Sequence, residues 1–293
     1  MENVLNVAKY IIEHERQNKR PLTGMKLQKL LYYAQVYSVI LRDEKLFDAD
    51  FYAWKNGCVA PVVEELHHGY FHIPASFPGE SAALQPDSTR VLRLTLRDQA
   101  RLTAEELSDR NHKELPWHVA YEQAKQLGMV HPNSWKTEME VNMSENVKRG
   151  YKRQGDSVIP VPVPPGVDPL TYSRVLAQLA DMNSVEDFVE ALAESDLGLL
   201  AYITREVPFN AYSKARMIEA VGDHWEDDPD AVRSALISAL SDQSSLVQDR
   251  AFRGLISFYY DGDPEVRSLI DGKPLETYNP AVRPTVEDLL YHA

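Results

Sequence analysis

The sequence predicts a mainly α protein in two parts: a helical N-terminal domain with a small β element, and an all-helical C-terminal domain. Three observations carry that prediction. Residues 23–43 place Leu27, Leu30, Leu31, Ala34, Ser38 and Leu41 at helical spacing, with Met25, Tyr32, Val36 and Ile40 on the opposite side. A helix apolar nearly all round is either central in its domain or shared with a partner. The run GDSVIPVPVPPGVDP, residues 155–169, carries five prolines and reads as a semi-rigid polyproline II spacer. Beyond it, helix starts recur at Asp-Pro pairs. The expected boundaries are therefore 1–150, a linker at 151–169, and 170–293.

Taken in order, Val4, Val7, Ala8, Ile11 and Ile12 make a first amphipathic helix. Thr23 is a suitable N-cap for the long second helix. FYAWKNG, from Phe51, reads as a short strand closing on a turn at Asn56-Gly57. Pro61 opens a helix that Gly69 ends, and residues 74–90 read as loop. VLRLTLRD alternates apolar and polar residues, which favours a strand while leaving a helix open. Thr103 and Glu106 have capping-box spacing, and Pro116 starts a helix that Gly128 ends. In the second half, helices are expected from Asp168-Pro169, Ser184, Asn210, Asp228-Pro229, Ser244, Asp263-Pro264 and Pro284.

Composition narrows the function classes. At 293 residues the chain can bury two ordinary cores, and its 44% hydrophobic and 26% charged residues suit a soluble protein. No stretch approaches the roughly 20 apolar residues of a membrane span, and the amphipathic N-terminus is not a signal peptide. Cys58 is the single cysteine, so there is no internal disulfide or Cys-based zinc cluster, and the cytoplasm is the expected location. Net charge is −13, of which residues 1–150 carry −1 and the rest −12. The acidic half disfavours nucleic acid and suits a basic protein partner, although ordinary solubility explains it too.

Three blocks, PLTGMKLQKLLYYAQ from Pro21, LFDADFYAWKNGCVAPVVEEL from Leu46, and LSDRNHKELPWHVAY from Leu107, occur in the order of the Panacea (SocA-like) domain family. Over residues 1–145 the chain resembles that family. It departs from the pattern at Cys58-Val59-Ala60-Pro61, where Gly-Pro-Val-x-Pro is usual, and at Asn111, where Thr is common. The resemblance implies an antitoxin that neutralises a cognate protein toxin by direct binding. Within the same family it also implies an alternative, an adaptor that hands its toxin to a cytosolic ATP-dependent protease. It assigns structural roles to Leu27, Leu30, Leu31, His112, Pro116 and Trp117. Separately, DPDAVR at 228–233 recurs as DPEVR at 263–267, with SSLVQDRAFRGL between them. The second half thus resembles HEAT-like repeats, with an irregular helical bundle as the alternative.

Candidate chemistry is sparse. His67, His68 and His72, with Glu64 one turn earlier, are the best metal-ligand types, and they support a metal-dependent hydrolase as a third alternative. Gly69 and Pro74 break the helix that would present them, so a surface or packing role is the expectation. His112 and Glu114 form an acid–base pair by residue type alone. No nucleophile motif or phosphate loop occurs, so no catalytic residue, metal or cofactor is expected. For binding, Lys26, Lys29, Tyr32, Tyr33 and Gln35 share the second helix, while Trp54, Lys55 and Gly57 lie on the turn behind it. Aromatic and cationic side chains dominate interface energetics, which makes these eight the toxin-binding candidates. The residues alone favour a core role, with Lys29 snorkelling to solvent. The resemblance strengthens the interface reading for Lys26, Lys29 and Tyr33.

Overall fold

The computed structural model describes residues 1–70, 72–74, 76–181 and 183–292. The fold is mainly α and divides into two compact units, 1–173 and 174–293.

In the first unit, α1 (Val4–Gln17) buries Val4, Val7, Ala8, Ile11 and Ile12, the stripe its sequence periodicity marks. The central element is α2 (Gly24–Arg42), started by Thr23, whose hydroxyl accepts from the Lys26 amide at 3.2 Å. Every residue from Lys26 to Val39 is buried. A helix with this pattern cannot be a surface element, because α1, α4, α5 and the β elements cover it on all sides.

β1 (Tyr52–Trp54) and β2 (Gly57–Val59) form an antiparallel hairpin, followed by α3 (Pro61–His67). Trp54 pairs with Gly57, so the two-residue turn is Lys55-Asn56 and not Asn56-Gly57. Gly57 has φ +98°, a conformation that favours glycine. On the other side of β1 runs an extended segment, with the Ala53 amide donating to Met139 O at 2.9 Å and the Lys55 amide to Trp135 O at 2.8 Å.

Residues 86–99 are helix α4 (Pro86–Gln99), which corrects both the loop expected to residue 90 and the strand favoured after it. Pro86 supplies an N-terminal start, and Ser88, Val91, Leu92, Thr95, Leu96 and Gln99 form one buried stripe of helical period. The alternation in VLRLTLRD spans only a few residues and loses to the longer 3.6 period. α5 (Ala104–His112) begins with both bonds of the Thr103–Glu106 capping box. α6 (Leu115–Gln126) and α7 (Glu145–Gly150) follow. Residues 151–160, expected to open the linker, form instead a hairpin of β3 (Tyr151–Gln154) and β4 (Ser157–Pro160), with Tyr151 and Val158 in the core. α8 (Pro169–Ala180) spans the division between the units.

The second unit is helical. α9 (Val185–Glu206) breaks at Asp196, whose carboxylate accepts from the Leu199 amide at 3.0 Å and so restarts the helix. α10 (Ala211–Asp223), α11 (Pro229–Ala239), α12 (Ser245–Tyr260), α13 (Pro264–Ile270) and α14 (Arg283–His292) follow. Asn210, Asp228 and Asp263 cap their helices through side-chain bonds, as their positions before helical runs predict. α10 and α12 approach closely at Gly222 and Gly254, where a Cβ on Gly222 would lie 3.0 Å from the Gly254 Cα. Met217, Val221, Val232, Leu236, Val247 and Leu255 fill the core between α10, α11 and α12.

Candidate functional site

Each polar side chain of α2 reaches a different part of the first unit. Lys26 donates to Ala100 O at 2.8 Å and pairs with buried Glu15 at 3.1 Å. Gln28 grips one residue twice: its Oε1 accepts from the Ala60 amide at 2.9 Å and its Nε2 donates to Ala60 O at 3.3 Å. Lys29 Nζ donates to Cys58 O at 3.0 Å. Seven residues beyond Gln28, Gln35 repeats the device on the chain before β1. It accepts from the amides of Leu46 and Phe47 and donates to Phe47 O. With Asn111 of α5, which accepts from the Cys58 amide at 2.7 Å, Gln28 and Lys29 satisfy the outward backbone groups of β2 and the residue after it.

Behind this edge lies a buried polar cluster centred on Glu114. Tyr151 donates to Glu114 at 2.5 Å, Tyr33 at 3.1 Å and Asn111 at 3.4 Å. Tyr32 and Tyr151 share a hydroxyl hydrogen bond at 3.1 Å, and Arg110 stands 3.5 Å from the carboxylate. Burial pushes the Glu114 carboxyl up to about 7, and pushes the hydroxyls of Tyr32, Tyr33 and Tyr151 upward as well. Burial also pulls the Lys29 ammonium down to about 8 and lifts the Cys58 thiol to about 12.

The eight binding candidates are therefore placed differently from a docking face. Lys26, Lys29, Tyr32, Tyr33, Gln35, Trp54 and Gly57 are buried, and only Lys55, at the hairpin tip, is exposed. The physical reason is that Lys26, Gln28, Lys29 and Gln35 meet backbone partners and the α2 tyrosines meet side-chain partners inside the unit, so the helix can be interior with Ser38 Oγ as its one buried polar side-chain atom lacking a partner among the described residues. Leu27, Leu30 and Leu31 are core, as the family motif implies. Pro116 is buried in the first turn of α6. His112 lies against Trp117 with ring centroids 4.3 Å apart, and Trp117 Nε1 donates to Trp54 O at 2.9 Å. His112 and Glu114 do not act as a pair: the polar atoms of Glu114 go to Tyr33, Tyr151 and Asn111.

The metal-ligand candidates diverge. His68 Nδ1 is 2.6 Å from Glu64, whereas His67 turns toward Gln28 at 3.3 Å. His72 lies outside α3, bridging through its backbone to Thr23. Among the described residues, no group of three or more His, Cys, Asp or Glu is placed to hold a metal ion.

What the fold does build here is a groove of about 620 Å³ at the N-terminal end of α2. Met25, Gln28 and Lys29 contribute from α2, Trp54 and Val59 from the hairpin, and Tyr70 and Trp135 from the flanking segments. Trp135 is 57% exposed and Tyr70 61%, a cost in apolar hydration that a purely structural surface does not require. Lys136 lies over the Trp54 ring at 4.8 Å and pairs with Glu64 at 3.7 Å. Tyr70 and Trp135 were invisible as site residues in sequence, because they reach the same groove from segments far apart in the chain, the Trp135 segment through its pairing with β1.

The elements from α2 through the start of α6 coincide with a known family: residues 27–118 match the model described as antitoxin SocA-like, Panacea domain. Over those residues the first unit is similar to a Panacea domain. No curated protein and no solved structure matches the chain. The Panacea match includes the α2 motif, the hairpin, α3, α4, α5 and the His112–Trp117 pair, so its sequence signature coincides with the side chains that close β2 and anchor Trp54. Trp135 and Tyr151 lie outside the matched residues. Among the described residues, no helix is long and apolar enough to cross a membrane.

Proposed function

We propose that this protein is an antitoxin that neutralises a cognate protein toxin by direct contact, acting in the cytoplasm and without catalysis. The observation that carries the proposal is the Panacea match over the elements that build an aromatic groove at the end of α2. The motif residues of α2 form the scaffold, and the exposed rings of Tyr70 and Trp135, with Lys55 at the hairpin tip, form the contact. Aromatic groups at a concave rim are the side chains from which binding hot spots are usually made.

The acidic second unit is read as a HEAT-like array that adds selectivity for a basic partner. Its repeated strings are physically linked, since Arg233 of the first Asp-Pro string donates to Asp263, the cap of the second, at 2.8 Å. Co-expression with the product of the adjacent open reading frame tests the reading. Growth rescue and co-purification are expected, and both should fail for a Tyr70→Ala, Trp135→Ala variant that keeps its melting profile. Full rescue by that variant would remove the groove from the contact.

A further inference from the structure

The groove at the start of α2 is already met by a cation from this chain. Lys136 sets its ammonium over the ring of Trp54, one of the groove walls, at 4.8 Å, with Glu64 Oε2 3.7 Å away. The second distance is beyond a hydrogen bond. Lys136 is held off by its own backbone. Trp135 O accepts from the Lys55 amide at 2.8 Å and Thr137 Oγ1 donates to Ala53 O at 2.9 Å, so the chain is pinned on either side of it. The other oxygen of Glu64, Oε1, faces His68 Nδ1 at 2.6 Å. Among the described residues, Lys136 is the one cation within reach of Oε2. The Glu64 side chain is only 14% exposed, so this loose pairing leaves a largely buried carboxylate short of a close partner.

The rest of the wall shares the preference. Glu105, in the first turn of α5, lines the groove as a second, exposed carboxylate. Among the described residues, Lys29 is the one lysine or arginine of the lining, and it is fully buried with its ammonium turned to Cys58 O. Apart from the two histidines, the charges that the groove presents are therefore carboxylates. Trp135 and Tyr70 stand exposed beside them, faces along which the methylene stem of a long side chain can lie. Aromatic faces with carboxylates recognise cations, through the ring quadrupole and through charge. An acidic side chain would be repelled by both glutamates. An apolar one would part Lys136 from Glu64 and return no charge.

We propose that the groove receives a lysine side chain of the partner polypeptide, whose ammonium takes the place of Lys136 between Trp54 and Glu64 while its stem lies along Trp135 and Tyr70. Lys136 is then a tethered stand-in for that ligand. An incoming lysine is free of the tether, so its ammonium can close on Oε2 to about 2.8 Å, the length of a charge-assisted hydrogen bond. This deepens the antitoxin reading and rests on it for the identity of the partner as the toxin.

The test uses the full-length protein and two small probes, N-acetyl-lysine amide and N-acetyl-norleucine amide, which share a stem and differ in the ammonium. Tryptophan fluorescence reports, because Trp54 and Trp135 line the groove. The lysine probe should bind saturably with a Kd on the order of millimolar, and the norleucine probe at least about fivefold more weakly. Lys136→Met empties the position and should tighten the lysine probe by about threefold or more, since a site occupied from within binds at reduced apparent affinity. Lys148→Met is the charge-matched control, because Lys148 pairs with Asp43 at the opposite end of α2. It should bind as the wild type does. Glu64→Gln should remove the preference for lysine over norleucine, and Trp135→Ala should weaken both probes. If Glu64→Gln does not fold, the probe ratio on the wild type and the Lys136→Met titration decide the question alone.

Equal binding of the two probes, no saturable binding, no gain in Lys136→Met, or the same gain in Lys148→Met would overturn the proposal. The two readings fail separately. Toxin rescue without lysine preference leaves the antitoxin standing and removes the lysine site. Lysine preference without toxin rescue does the reverse.

Discussion

Tyr151 donates its hydroxyl to Glu114 at 2.5 Å, a hydrogen bond that ties the β3–β4 hairpin to the residue preceding α6. Because burial raises the Glu114 carboxyl from 4.5 to about 7, the folded protein keeps a proton that the unfolded chain releases between those values. The group's contribution to stability is full below about pH 4.5 and is lost as pH rises toward 7, amounting to about 3 kcal/mol. Urea midpoints should fall across this window in the wild type and vary less in Glu114→Gln. Identical pH slopes in the two proteins would show that Glu114 does not titrate as assigned.

Gly57→Ala should destabilise the first unit by about 2 kcal/mol or more. The residue has φ +98°, and a Cβ would meet Asn111 Oδ1 and Lys29 Nζ, both at 2.6 Å. Thermal denaturation measures the loss. A melting temperature matching the wild type would mean that Lys29 and Asn111 relax without penalty.

Gln28→Leu keeps the bulk but removes the partner of the Ala60 amide, while the Ala60 carbonyl still accepts from the Val63 and Glu64 amides. One buried amide left unmatched should cost roughly 1–3 kcal/mol. Amide hydrogen exchange at Ala60 should accelerate relative to the α2 interior. Protection retained at Ala60 would indicate that another donor or acceptor replaces the glutamine.

Gly254→Ala probes the second unit by itself. A Cβ there would approach Leu236 side-chain atoms at 2.9–3.0 Å and the Gly222 Cα at 3.3 Å. The leucine can turn aside in part, so a loss of about 1–3 kcal/mol is expected from overpacking. Chemical denaturation followed by Trp225, which packs edge-on against Phe258 at 5.3 Å, reports on this unit. A stabilised variant would show that α10 and α12 have room to separate.

Arg233→Ala and Asp263→Ala, combined in a double-mutant cycle, should give a coupling of about 1 kcal/mol or less. The guanidinium is partly exposed and shares itself with Asp230 and Glu265. Additive losses would mean that the Asp-Pro strings are connected by packing alone.

Local signals in the sequence match the structure where the physics is local. Thr23, the Thr103–Glu106 box, Asp228 and Asp263 cap the helices they precede, because a cap depends on residues within one turn. The family motif and the mainly α class were legible for the same reason. Long-range pairings were not. Nothing near Gln28 in sequence reveals that Ala60 needs its amide, and nothing near Tyr151 points to Glu114. The Lys and Tyr residues of α2 favour the core by type alone, and only the family resemblance points some of them toward a partner. The restart at Asp196 has no counterpart in the sequence pattern, because the hydrophobic period continues through it. The 151–160 hairpin was hidden by the prolines that follow it.

The rim of β2 facing away from β1 is already occupied by Gln28, Lys29 and Asn111, so its main chain has no donors or acceptors to offer an incoming strand. A binder cannot extend this small sheet by laying a segment alongside it. On the antitoxin reading, recognition at this end of the molecule instead reads side-chain shape and charge, which ties partner choice to a handful of substitutable positions. Variation at Tyr70, Trp135 and Lys55 could then retune the pairing while the fold beneath stays unaltered.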